Sequence, residues 1–358
     1  MAAPGRKPRK PIFPEKCGGL PAAATVGGGF SEVSKWHART ISCISWFKNI
    51  SIFHPPPSIL YASVVLFRKI TIIGVGLLGG SIGLAVKRRK LARRTVGFVR
   101  RAASLKDCKK AGVADFVTAD LLAAVWDADL VILCAPLGQM RPLAGRMLLA
   151  LKPGAIVTDV GSVKAGVVRE LETFIARSGA HFVGSHPMAG AEKTGVSAAR
   201  ADLFVNAVCV VTPTKKTNRA ALKSVERFWK AIGSRVLKLT PETHDALVSR
   251  TSHLPHVVAA ALANLVLNPA QPEFQAALCA NGFRDTTRIA SGSPEMWRDI
   301  ALANPKNIAK SVNTFVAELK KFQRALAKAD AKVVAGFFET AKKRRDEWCA
   351  CCASPSPE

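Results

Sequence analysis

From Arg68 onward, short apolar runs rich in β-branched residues alternate with stretches of helical length. KITIIG (69–74) precedes a helix predicted from about Leu78 to Lys90, and RTVGFV (94–99) precedes one that runs through about Ala111. DLVILCAP (129–136) leads to a helix near Met140 to Leu151, and GAIVTDVGS (154–162) to one near Lys164 to Ser178. HFVGSHP (181–187) and NAVCVVTP (206–213) end the series. Strands without polar alternation, separated by helices, are buried on both faces, so the pattern predicts an α/β, doubly wound, mostly parallel sheet. Past about Thr240 the strand signals stop. Residues 241 to 348 read as successive helices punctuated by Pro255, Pro269, Pro272, Gly282, Pro294 and Pro305, and apolar residues in 307–326 recur at i, i+4 and i+8. An all-helical second domain of this kind often supplies a dimer interface and one wall of a cleft.

The expected organisation is an N-terminal extension (1–67), a nucleotide-type α/β domain (68–239), a helical domain (240–348) and a flexible tail (349–358). The extension mixes Pro-rich pieces (PRKPIFP, HPPPS), the Gly run VGGGF and scattered Trp and Cys, with no sustained period of 3.6 or 2. Three readings compete: a disordered extension, an organellar transit peptide, or a non-native segment from a start codon assigned too far upstream. Its wealth of Lys, Arg and Ser against only Glu15 and Glu32 fits a transit peptide, which would place the protein in a plastid. The absence of a clear basic amphipathic helix, together with the Trp and Cys content, favours a disordered or non-native extension. In the tail, Cys349, Cys351 and Cys352 lack a second pair of ligands for a soft metal, so no metal site is expected there.

Composition narrows the function classes. The chain has 358 residues, enough for two domains with separate cores, and 49% of them are apolar, which excludes disorder of the whole. Lys and Arg number 52 against 25 acids, a formal charge of +27. That excess raises nucleic acid as a partner, but the basic residues are spread along the chain with no aromatic-interleaved basic stretch, so nucleic-acid binding is not expected. A small anionic substrate and a phosphate-bearing cofactor suit a basic protein equally well. Most of the nine cysteines stand singly in apolar runs, as Cys134 and Cys209 do, which reads as reduced thiols of a cytoplasmic protein. No apolar run approaches the roughly eighteen residues that span a bilayer, so no membrane partner is expected.

The candidate cofactor site lies directly after the first predicted strand. GVGLLGG places Gly74, Gly76 and Gly79 in G-x-G-x-x-G spacing, with Leu77 and Leu78 between, at the opening of a helix. The first Gly permits a tight turn, the second lets backbone approach a pyrophosphate, and the third allows close packing of helix on strand. At a strand-to-helix junction that starts a βαβ pattern, this predicts a Rossmann-type dinucleotide site. An acid some twenty residues on would bind the ribose 2′-hydroxyl of NAD, yet the second strand ends Phe98, Val99, Arg100, Arg101. The two arginines suit a 2′-phosphate, which favours NADP over NAD. The bland alternative makes them solvated residues that start the next helix, in an enzyme accepting either cofactor.

Three further strings fall where loops gather at the carboxyl ends of parallel strands: DVGSVK (159–164), GSHPMAGAEKTG (184–195), and the helical-domain pair TSHLPH (251–256) with GFRDTTRIASGSPEMWRDI (282–300). With the Gly-rich start, their order over residues 68 to 325 resembles the prephenate and arogenate dehydrogenases. The resemblance implies oxidative decarboxylation of prephenate or arogenate in tyrosine biosynthesis by a homodimer. It implies that His186 is the base taking the substrate hydroxyl proton, a task a near-neutral histidine suits, and that Ser162 hydrogen-bonds both that histidine and the hydroxyl. Alone, His186 reads equally well as a satisfied structural histidine and Ser162 as a helix cap. Arg288 matches an arginine binding a substrate carboxylate, with a surface ion pair as the alternative. His253 and His256, three positions apart on one helical face, match a pair at the substrate pocket, and no accompanying carboxylate makes them a metal site. Glu192 and Asp285 match acids of an ionic network at the mouth of the site, or are ordinary paired surface charges. Trp297 resembles a tryptophan contributed near the site across the dimer, where a core role is the alternative.

Two rivals remain. A β-hydroxyacid dehydrogenase shares the domain plan, but no Lys-x-x-x-Asn string occurs around residues 240 to 260. A non-catalytic NADP-binding regulator would keep the Gly loop without needing His186 beside Ser162. Nothing upstream resembles a helical chorismate mutase, and the stretch after residue 345 is short for a ligand-sensing domain. Tyrosine inhibition, if it operates, is expected at the active site.

Overall fold

A computed structural model describes residues 65–190, 194–270 and 272–353. Eight strands, β1 (Phe67–Ile73), β2 (Ala92–Phe98), β3 (Phe116–Thr118), β4 (Leu130–Leu133), β5 (Ile156–Asp159), β6 (His181–Pro187), β7 (Val208–Thr212) and β8 (Arg235–Lys238), form one sheet. Its order is β3-β2-β1-β4-β5-β6-β7-β8. All neighbours are parallel except β6 and β7. Helices α1 (Leu77–Arg88), α2 (Ser104–Lys110), α3 (Leu121–Val125), α4 (Leu137–Met147), α5 (Ala165–Ile175) and α6 (Arg219–Ala231) make the crossovers.

The unbroken apolar runs have a direct structural reason. In β4, Leu130 and Ile132 enter one core cluster, which holds Ile70, Ile72 and Trp229. Val131 and Leu133 enter a second, with Phe98, Val157 and Phe182. Side chains alternate between faces, and both faces are covered, so every position of the strand is apolar. Each such side chain stabilises the fold by roughly 1.5–3 kcal/mol relative to exposure.

The extension expected over 1–67 overruns the fold at its end. Phe67 is the first residue of β1, and its buried ring sits edge-on against Phe228 with centroids 6.4 Å apart. Arg68 and Lys69 hid this by breaking the apolar run; both backbone N–H groups donate to the Asp129 carboxylate. Residues 1–64 of that extension lie outside the described residues. The edge strands β3 and β8, three and four residues long, were too short to stand out in the sequence.

The second domain comprises α7 (Pro241–Val248), a π-helical turn (Ser249–His253), α8 (Leu254–Val266), α9 (Glu273–Ala277), α10 (Asn281–Thr287), α11 (Pro294–Ala303), α12 (Pro305–Ala327) and α13 (Ala331–Ala353). Thr240 caps α7 through its hydroxyl, with Pro241 in the first turn. Helix α13 continues through Ala353, so Cys349 to Cys352 are helical rather than part of a frayed tail; residues 354–358 lie outside the described residues. No described helix is long and apolar enough to cross a membrane.

Candidate active site

Parallel pairing puts the carboxyl ends of β1, β4, β5 and β6 on one edge of the sheet, and chain order reverses between β1 and β4, the usual crevice for a ligand. Gly74 leaves β1 there with φ +97, and a side chain on it would run into the Cys134 carbonyl after β4. Asp159 ends β5, and His186 lies one residue before the end of β6.

Beneath the site is a buried polar layer. Asp159 and Lys164 form an ion pair with both side chains fully buried. The Lys164 ammonium also donates to the Ser185 carbonyl at 2.9 Å, and Asp159 accepts from the N–H groups of Gly161 (2.9 Å) and Ser185 (3.1 Å). The Ser185 hydroxyl donates to the Asp159 carbonyl (2.6 Å) and accepts from the Trp229 indole (3.1 Å). Three fixed donors thus satisfy Asp159, which is what a buried charge requires. Burial lowers the pKa of Lys164, and Asp159 pulls against that shift.

His186 stands on this layer at 8% exposure. Its ring hydrogen-bonds through Nδ1 to Nε2 of His244 at 2.9 Å. His244 Nδ1 lies 2.8 Å from the Asp245 carboxylate, whose oxygens accept from the backbone N–H groups of Lys164 (2.7 Å) and Ala165 (2.9 Å). A carboxylate of α7 therefore caps α5 across the junction of the two domains. Burial holds the pKa of His186 well below the usual histidine value, and the charges of His244, Lys164 and His253 push the same way.

The other expected residues fall into two groups. His253 is buried, within 3.4 Å of the Asn304 amide, and burial lowers its pKa to about 4 against the pull of Asp245. Ser162 lies beside it, with its backbone carbonyl toward His253. The Nδ1 of His186 is engaged by His244, a ring partner brought by α7 that the sequence reading did not anticipate. His256 donates from Nδ1 to the Ile289 carbonyl (3.1 Å) and stacks on Trp297 at 3.7 Å between centroids. Trp297 also meets His253 edge-on at 6.2 Å, so its ring packs within its own chain. Arg288 opens the short turn that carries Ile289 and is exposed, as is Asp285 on α10. Arg284 and Arg288 share a cleft of about 450 Å³ with Cys279, Phe283, Thr287 and Ser291. Glu192 lies outside the described residues.

Sequence reasoning missed His244, Asp245, Lys164 and Asn304. The signal available was slight: a His-Asp pair in the opening turns of α7, and a lysine in the DVGSVK string from which only Ser162 had been singled out.

Two family models match the chain. One described as the nucleotide-binding domain of prephenate dehydrogenase matches residues 82–238, and one described as its dimerization domain matches 240–342. Prephenate dehydrogenase of Bacillus subtilis is 36% identical over 283 residues, covering 77% of this chain and 75% of that protein. The chain belongs to the prephenate dehydrogenase family. Within that family, the cyclohexadienyl dehydrogenase of Zymomonas mobilis is 35% identical over 79% of this chain and 96% of its own length. The structure of Aquifex aeolicus prephenate dehydrogenase, a complex with hydroxyphenyl propionate and NAD+, superposes with a TM-score of 0.74 at 33% identity, covering 78% of this chain and 98% of that one. Membership of the prephenate dehydrogenase family makes this chain an NAD(P)-dependent oxidoreductase.

The residues fit a dinucleotide. No side chain caps the N-terminus of α1, and a Cβ built on Gly76 meets no atom within 4 Å, leaving room and backbone donors for a pyrophosphate. Leu77 and Leu78 form the first turn of that helix. Arg100 and Arg101 are exposed in the loop between β2 and α2, three or more residues before α2 begins, so they do not start the helix.

Proposed function

We propose that this enzyme oxidatively decarboxylates prephenate or arogenate on the route to tyrosine, with His186 as the base and with NADP preferred to NAD. The observation that carries this reading is the state of His186: buried, held through Nδ1, and kept neutral, at the carboxyl edge of the sheet beside the glycine-rich loop. A neutral imidazole with one nitrogen engaged offers the other to a substrate hydroxyl.

The reaction balances around that nitrogen. The hydroxyl proton passes to His186, and the hydrogen on the hydroxyl-bearing carbon leaves as hydride. The bound nicotinamide supplies the hydride acceptor. As the ring carboxylate leaves as carbon dioxide, the electron pair of its bond moves through the ring to the oxygen, which takes its proton back from His186. Ser162 then serves the hydroxyl, and Arg288 a substrate carboxylate, which a planar guanidinium grips with two hydrogen bonds. His253, His256 and Trp297 form the adjoining wall, and Asp285 and Glu192 serve the mouth of the site. These residues address the ring and carboxylates that prephenate and arogenate share. Arg100 and Arg101, in a loop without an acid from Val99 to Ala103, support NADP. Exposed apolar side chains on α12 and α13 support a homodimer through the helical domain, and the free, buried Cys108 and Cys209 support a cytoplasmic enzyme.

The test is reduction of NADP and of NAD, each with prephenate and with arogenate. We expect turnover with NADP and at least one substrate, reduced about 10²- to 10⁴-fold by His186→Asn. Because burial holds the pKa of His186 below the usual histidine value and the residue acts unprotonated, kcat/KM should fall on the acid side with an inflection below pH 6.5. Arg100→Ala with Arg101→Ala erodes the NADP preference about tenfold or more and spares NAD. No turnover in any of the four combinations, or a fully active His186→Asn enzyme, sinks the assignment.

A further inference from the structure

We propose that Asp245, His244 and His186 form a hydrogen-bonded relay that fixes His186 in the tautomer with an unprotonated Nε2 and shares the charge gained when that nitrogen takes the substrate proton. The proposal deepens the reading above and rests on His186 being the base.

The argument starts from donors that have no choice. The backbone N–H groups of Lys164 and Ala165 point at the two oxygens of Asp245, at 2.7 and 2.9 Å, so both oxygens accept. They stand at the start of α5, whose dipole favours a negative charge there, and the Lys164 ammonium lies close by. The Asn304 amide donates to the backbone carbonyl of Asp245 at 2.9 Å and pins the residue in place. An anionic Asp245 obliges His244 to donate from Nδ1. A neutral imidazole carries one N–H, so Nε2 of His244 must accept, and its contact at 2.9 Å is Nδ1 of His186. Nδ1 of His186 therefore carries the proton and Nε2 is bare.

A second proton on His244 would reverse the chain: its Nε2 would donate, and the proton of His186 would move to the nitrogen that must act as base. Among the described residues, the groups that face the pair are these. His244 and Asp245 come from α7, Lys164 from the start of α5, Asp159 from β5, Cys209 from β7 and His253 from the π-helical turn. Asp245 is the carboxylate bonded to the pair, through His244 alone, because Asp159 spends its oxygens on Lys164, Gly161 and Ser185. His244 and Asp245 are positioning residues, since neither needs to touch substrate.

Nitrogen-15 NMR of the histidine-labelled wild-type enzyme reads the tautomer directly. The expected result is His186 protonated on Nδ1; a proton on Nε2 overturns the proposal without recourse to any variant. In parallel, kcat/KM is followed against pH for His244→Phe, which keeps a ring but no hydrogen bond, and His244→Gln, which keeps a donor and an acceptor. His244→Phe should lower kcat/KM by on the order of 10²- to 10⁴-fold, shift the acid inflection and leave His186 a mixture of tautomers, with His244→Gln recovering part of the rate. A loss with an unmoved profile and an unmixed Nδ1 tautomer marks a packing role only and refutes the relay. Full activity of His186→Asn refutes instead the assignment of the base, so the two failures are separable.

Discussion

A methyl group added at Gly79 would stand 2.0 Å from the Gly74 carbonyl oxygen and 3.0 Å from Ile72 Cγ2, whereas one added at Gly76 meets no atom within 4 Å. Within one spacing motif, then, Gly74 and Gly79 are needed by the fold, and the room at Gly76 is what the proposed phosphate cradle would use. Gly79→Ala forces α1 off β1 and should cost at least about 2 kcal/mol by urea denaturation. Gly76→Ala should stay within about 0.5 kcal/mol of wild type while raising the KM for the dinucleotide tenfold or more. If both variants lose stability equally, the open space at Gly76 is not a phosphate cradle. At this scale the sequence was largely legible, because the spacing alone marks all three glycines of the loop. The partner of His186 was not legible, since hydrogen bonds between residues 58 positions apart leave no local pattern.

Among the elements, the connection from β5 to α5 does the most to build the site. Within six residues it ends a central strand, buries the Asp159–Lys164 pair, offers Ser162 and starts a helix that a different domain caps. The periodicity predicted both elements and their order. It gave no sign that the lysine turns inward, because a lone lysine before a helix ordinarily faces water. Lys164→Met leaves the Asp159 charge buried without its cation, and denaturation should show a loss of about 3–5 kcal/mol. Adding Asp159→Asn should recover part of that loss. A single variant as stable as wild type would mean that Asp159 and Lys164 are both neutral in the folded state.

On the scale of the molecule, α12 and α13 pack together through Phe322, Phe337 and Phe338 yet leave Leu319, Leu326, Val333 and Phe338 between 48% and 58% exposed. Apolar side chains so placed on two long helices need a cover, and a second copy is the one proposed here. Leu319→Lys with Phe338→Lys should convert a dimer into a monomer by sedimentation velocity, with the α/β domain still folded by circular dichroism. A wild-type monomer at micromolar concentration would remove that interface.

The chain by itself determined the alternation of strands and helices, the glycine loop, the switch to an all-helical domain and the histidine at the end of β6. Each is written in neighbouring residues, through side-chain period, turn chemistry or a short string. The tertiary structure alone decided which groups surround that histidine. Folding α7 against α5 brings Asp245 to two backbone donors and His244 to His186, and burial then fixes protonation states that exposed side chains would not hold. Long-range contacts and desolvation depend on what lies above a residue in space, and no window of sequence contains that information.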